Sequence, residues 1–100
     1  MTRPAAIPTV QIENARIRVT EWRFAPGAAT GFHRHEYDYC VVPLVTGKLG
    51  IEAKDGTMTE APLITGVSYC RSAGVEHDVI NVNAFEFVFV EVELKENAAE

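Results

Sequence analysis

One hundred residues with 47% hydrophobic content suffice for one domain with one core and are too few for two. Nine Lys and Arg against fourteen Asp and Glu give a formal net charge of −5, which repels phosphate backbones and anionic bilayers and argues against nucleic acid and membrane as partners. No apolar run approaches the roughly 20 residues that span a bilayer, and MTRPAAIPTV lacks the apolar middle of a signal peptide, so a cytoplasmic location is expected, where Cys40 and Cys70 have no need to pair.

Along the chain, turn signals recur at Pro26-Gly27, Gly31, Gly47, Asp55-Gly56, Gly66, Ser72-Ala73-Gly74 and Asn83-Ala84. The runs between them are too short for ordinary helices and suit strands. ARIRVTEWRF and YCVVPLV are rich in β-branched and aromatic residues, and Pro43 in the second asks for an edge or a bulge. Asp55-Gly56 predicts a type I′ hairpin with residues 49–54 antiparallel to 57–61. In FEFVFVEVEL, Phe85, Phe87 and Phe89 share one face, and Val88, Val90 and Val92 share the other. Such a strand is covered on both sides, by a second layer or a partner subunit. Glu91 and Glu93 continue the phenylalanine face, which therefore runs out into solvent or into a polar cavity. The tail KENAAE is polar and is expected to fray. About nine short strands imply an all-β barrel or sandwich occupying residues 1–100 as one domain.

The chemistry concentrates in GFHRHEYDYC. His33 and His35, one residue apart, point to the same side of an extended chain and can reach one ion, whereas on a helix they would diverge by roughly 200°. His77, the third and last histidine, lies in AGVEHDVIN. Spacing alone is a weak signal, since histidines beside turns are commonly surface residues. Tyr37 and Tyr39 share the parity of the pair, so their phenols are candidates to position a substrate, as well as for aromatic packing. Arg71 can pair with a substrate carboxylate through its planar fork, or with a surface acid. Trp22, Phe24 and Phe32 read as core, and Asn81 as a residue that fixes a turn or strand end.

The two stretches GAATGFHRHEYDYCVVPLVTG and GVSYCRSAGVEHDVIN closely resemble the paired motifs of the cupin superfamily, G-x5-H-x-H-x3-4-E-x6-G and G-x5-P-x-G-x2-H-x3-N. Gly27, His33, His35 and Gly47 fall on the first motif, and Gly66, Gly74, His77 and Asn81 on the second. The resemblance covers about residues 22–94 and implies a conical β-barrel of two antiparallel sheets, a jelly roll. It also implies a divalent transition metal, Fe2+, Zn2+ or Ni2+, held by His33, His35 and His77.

Two positions depart from the pattern. Ser72 replaces the proline of the second motif, a substitution that turn chemistry tolerates. The acidic ligand of the first motif is missing: counting back from Gly47 puts Cys40 in its slot, and the shorter spacing puts Tyr39 there. Cys40 is then either a fourth ligand, in a closed site suited to a structural ion, or a small buried hydrophobe beside an open one. Glu36 and Asp38 are near but out of register.

Two classes of function stay open. One is a metal-dependent enzyme, dioxygenase-like or isomerase- or lyase-like, acting on a small carboxylate or oxygenated metabolite. The other is a non-catalytic barrel that binds a metabolite or a metal. Within the superfamily the chain is most similar to small single-domain members, which implies a homodimer and a role in the breakdown of β-alanine or a related amine or short acid.

Overall fold

In a computed structural model, residues 3–95 are described and form nine strands with no helix. They are β1 (Ile7–Glu13), β2 (Ile17–Phe24), β3 (His33–Arg34), β4 (Asp38–Pro43), β5 (Gly47–Glu52), β6 (Met58–Leu63), β7 (Tyr69–Arg71), β8 (Glu76–Asn81) and β9 (Phe87–Leu94). Two antiparallel sheets result, ordered β1-β2-β9-β4-β7 and β3-β8-β5-β6, the double-sheet arrangement expected. Their facing sides share one core of Phe24, Tyr39, Val41, Leu49, Leu63, Val79, Phe87 and Phe89. Phe24 and Phe87 pair across β2 and β9 and are wholly buried. Burying one such ring contributes about 1.5–3 kcal/mol.

β9 is central, hydrogen-bonded to β2 on one side and β4 on the other. Its alternation decides what the core becomes. Phe87, Phe89, Glu91 and Glu93 point inward, so the space between the sheets is apolar at one end and polar at the other. Of the two outcomes open for this face, it is the polar cavity that forms. Phe85 precedes the strand and is exposed. Pro43 ends β4 just past the last β7 pair, Val41 with Tyr69, so its missing N–H breaks no ladder on that side.

The hairpin of β5 and β6 pairs Leu49 with Ala61 and Glu52 with Met58. Its turn differs from the type I′ expectation. Asp55 keeps negative φ, Gly56 alone takes φ of 90°, and the Gly56 N–H donates to the Ala53 carbonyl at 2.9 Å. The Ala53 N–H donates to the Thr57 carbonyl at 2.8 Å, so residues 54–56 form the loop, one residue more than a type I′ loop, and only its last position takes the left-handed region. Gly47 serves otherwise: a Cβ there would lie 2.9 Å from Asn83 Oδ1, the atom that accepts the Lys48 N–H. Asn81, almost fully buried, donates to the carbonyls of Phe24, Ala25 and Phe85 and accepts from Asn83, so it fixes the junction before β9 as anticipated.

Three expectations need correction. β1 is a strand that the sequence pattern did not mark: all seven of its residues are exposed. Phe32 is 51% exposed at a turn and contributes nothing to the core. The cysteines are paired: Cys40 and Cys70 are directly opposed in the β4–β7 ladder and joined by a disulfide, their Cα atoms 4.0 Å apart. The fraying predicted for the tail falls mostly on residues 96–100, outside the described residues; Lys95 itself is tied to Glu13 by a 2.8 Å ion pair.

Candidate metal centre

β3 and β8 pair His33 directly with His77, and β-alternation puts His35 on the same side two residues on. The extension past β3 is held by the His35 N–H donating to the Val75 carbonyl and the Gly74 N–H donating to the His35 carbonyl. The three imidazoles therefore converge. Nε2 of His35 lies 3.0 Å from Nε2 of His33 and 3.2 Å from Nε2 of His77. An ion about 2.1 Å from each nitrogen would separate neighbouring nitrogens by about 3.0 Å at right angles and about 3.4 Å at the tetrahedral angle. The two spacings that His35 makes fit one first-row transition ion, and the donor atoms of all three histidines lie within 4.8 Å of one another.

Local contacts prepare the donors. His33 Nδ1 is 2.8 Å from the Gly31 carbonyl, which can only accept, so Nδ1 carries the proton and Nε2 presents its lone pair. Burial, together with the neighbouring imidazoles, pushes His35 down to about 4. Burial first, then His33 and Arg71, pushes His77 down to about 4. Near neutral pH both are uncharged, the form a metal requires.

These histidines stand in the wall of a cavity of about 460 Å³ between the sheets. Leu49, Ile51, Val79 and Phe89 line its apolar part, and Arg18, Tyr37, Tyr39, Tyr69, Arg71, Glu91 and Glu93 its polar part. Tyr39 is buried and stacks on the His35 ring with centroids 3.8 Å apart. Burial, with the Glu91 charge next, lifts its phenol to about 12, so it remains a hydrogen-bond donor. Tyr37 sits at the mouth under the Arg18 guanidinium, 5.9 Å from ring centroid to Cζ. Arg18 is neutralised by Glu93 at 3.2 Å and Arg34 faces Glu76 at 3.7 Å, whereas Arg71 lies over the Tyr69 ring at 5.5 Å with no ion pair among the described residues.

Every candidate except Cys40 thus borders one cavity. Tyr39 and Cys40 occupy opposite faces of β4, and Cys40 points outward, its sulfur bonded to Cys70. It takes no part in the group formed by His33, His35 and His77. Asp38 is engaged in accepting the Ala73 N–H at 2.8 Å, and Glu36 stays exposed at the rim. The residue missed is Glu91. Only 8% exposed, it accepts from Trp22 Nε1 at 3.2 Å and places Oε2 3.8 Å from His35 Nδ1. Burial, with Glu93 adding to it, raises its carboxyl to about 7. Trp22, expected in the core, packs against it and also lines the cavity.

No family model matches the chain. Among curated proteins, the beta-alanine degradation protein BauB of Pseudomonas aeruginosa is 60% identical over 93 residues, 93% of this chain and 97% of that one. Among solved structures, a cupin domain from Bordetella pertussis is 58% identical with a TM-score of 0.92, over 96% of this chain and 99% of its own. The polyketide cyclase RemF of Streptomyces resistomycificus shares the fold at a TM-score of 0.69 and 21% identity, over 96% of this chain and 71% of its own.

Proposed function

The chain belongs to the cupin superfamily, in the group of its BauB relative, and from that premise we propose that His33, His35 and His77 hold a divalent transition metal at which a small carboxylate is bound. The observation that carries this reading is the convergence of three Nε2 atoms in a cavity wall, with two of the imidazoles kept neutral. All-imidazole donors suit Fe2+, Zn2+ or Ni2+ rather than Mg2+ or Ca2+. A bound ion of this kind supplies Lewis acidity to a substrate oxygen.

The rest of the site belongs to the chain's own groups. Arg71, the cavity cation without an acidic partner among the described residues, takes the carboxylate in a forked hydrogen bond. Tyr39, whose phenol stays protonated, donates to a substrate oxygen, and Tyr37 closes over the mouth. Phe89, Leu49 and Ile51 set the length of the molecule admitted. The name of the BauB relative makes β-alanine breakdown the process in view, and short β-amino and β-keto acids the first compounds to try. A cytoplasmic homodimer forms part of the same reading. What supports the dimer is the outer face of β9, with Val90 and Val92 part-exposed, and the exposed Ile7, Val10 and Ile12 of β1.

Calorimetric titration of the Zn2+-loaded protein with these acids tests the substrate class. Saturable binding is expected, weakened tenfold or more by Arg71→Ala, and product analysis of the Fe2+-loaded protein in air separates an enzyme from a binding module. Equal binding by wild type and Arg71→Ala contradicts the assignment of Arg71.

A further inference from the structure

The carboxylate missing from the first histidine motif has a counterpart on another strand. Tyr39 occupies the inward position of β4, while Glu91 on the adjacent β9, paired with Val41, turns a buried carboxylate toward the back of His35. We infer that Glu91 is the positioning residue of the three-histidine site, holding the Nδ1 proton of His35 so that Nε2 faces the other two imidazoles.

His35 is the hub of the cluster, the one ring whose Nε2 meets both other Nε2 atoms. It is also the least exposed of the three, and Tyr39 covers one of its faces. Its neighbour His33 has its tautomer fixed by the Gly31 carbonyl. At Nδ1 of His35 the facing group is instead the Glu91 carboxylate, Oε2 at 3.8 Å, while the Trp22 N–H anchors Oε1 and so sets the direction in which Oε2 points. That separation is too long for a hydrogen bond. An ion drawing electrons from Nε2 makes Nδ1–H a stronger donor, and the contact is then expected to shorten. A carboxylate behind a ligating imidazole orients the ring and raises its basicity, and its loss typically lowers metal affinity 10- to 100-fold. Structure alone gives little reason for the group: a buried carboxyl among Thr20, Val41 and Trp22 costs stability that an apolar residue would not.

The inference rests on the metal reading, and the test keeps the two apart. Co2+ is titrated into chelator-treated wild type, Glu91→Gln and Glu91→Ala, with affinity read by chelator competition, the site by the visible Co2+ spectrum, and folding by circular dichroism. Wild type is expected to bind one Co2+ per chain. Glu91→Ala is expected to bind roughly 10- to 100-fold more weakly with an altered spectrum. Glu91→Gln, which keeps an acceptor oxygen and loses the charge, should fall between and covers the case in which the alanine variant fails to fold. Wild-type binding with both folded variants within twofold of it, and spectra unchanged, overturns the role of Glu91 and leaves the metal site standing. A lower melting temperature with unchanged affinity likewise reduces Glu91 to a structural part. No Co2+ binding by wild type overturns the metal reading itself.

Discussion

His35 and His77 ordinarily titrate near 6.5, and burial brings both to about 4. Between those values the unfolded chain takes up protons that the folded chain refuses, so stability falls as pH falls through the window. Glu91 has the opposite sign. Its carboxyl moves from 4.5 to about 7, so between those values the folded state holds a proton that the unfolded state releases, and this contribution grows as pH falls. Two histidines against one carboxylate leave a net uptake of about one proton on unfolding between pH 6.5 and 4.5. Metal-free protein in chelator should therefore melt at progressively lower temperature from pH 6.5 to 4.5, and more steeply in Glu91→Gln. A flat or rising melting curve would contradict this balance of charges. At this scale the three histidines were legible, because two motif spacings and strand parity agreed on them. For the fourth position, counting back from Gly47 gave Cys40 and the shorter motif spacing gave Tyr39, which also shares the parity of His35; the fold follows parity, since alternation along a strand admits no compromise. Glu91 could be seen to end the phenylalanine face; its meeting with His35, 56 positions away, depends on how β9 lies in the sheet.

Among the elements, strands with a buried face were readable and those without one were not. The β5–β6 hairpin joins the expected segments, but its register, with Glu52 opposite Met58, is one residue off the type I′ pairing, because Leu49, Ala61 and Leu63 have only one side on which to be buried. β1 carries no such signature, every residue being exposed, and β7 is three residues long. The same difficulty hid the disulfide. Cys40 and Cys70 meet because β7 adds to the edge of β4 in one register, a long-range pairing that cysteine spacing does not encode. This bond closes a separation of 30 residues and fastens the edge strand that carries Tyr69 and Arg71 to the cavity. Constraint of the unfolded chain by a loop of that size is worth roughly 3–4 kcal/mol. Urea unfolding should accordingly shift to lower midpoint with dithiothreitol, and Cys70→Ser should match the reduced protein. Two titratable thiols per chain in native, unreduced protein would show that the pair is not bonded. In a reducing cytoplasm the bond would be open to such reduction.

For the whole molecule, the fold assigns one function to each end of the space between the sheets. Aromatic and aliphatic side chains close one end, and the histidines, phenols and arginines open the other. The double-sheet plan was legible because turn residues fell at regular intervals, and Gly27, Gly31, Gly56, Gly66 and Gly74 do adopt positive φ. The polar end was less legible, since it combines residues of β2, β3, β4, β7, β8 and β9, each of which also reads as ordinary core or surface. Native mass spectrometry of untagged protein, expressed in medium supplemented with iron, zinc and nickel, tests the central claim most directly. The account predicts a dimer of the 11.0 kDa chain carrying one transition metal ion per chain, and the same assembly without metal for His77→Ala. Wild-type protein with less than about a tenth of an ion per chain, at the low occupancy that adventitious surface histidines give, would contradict it.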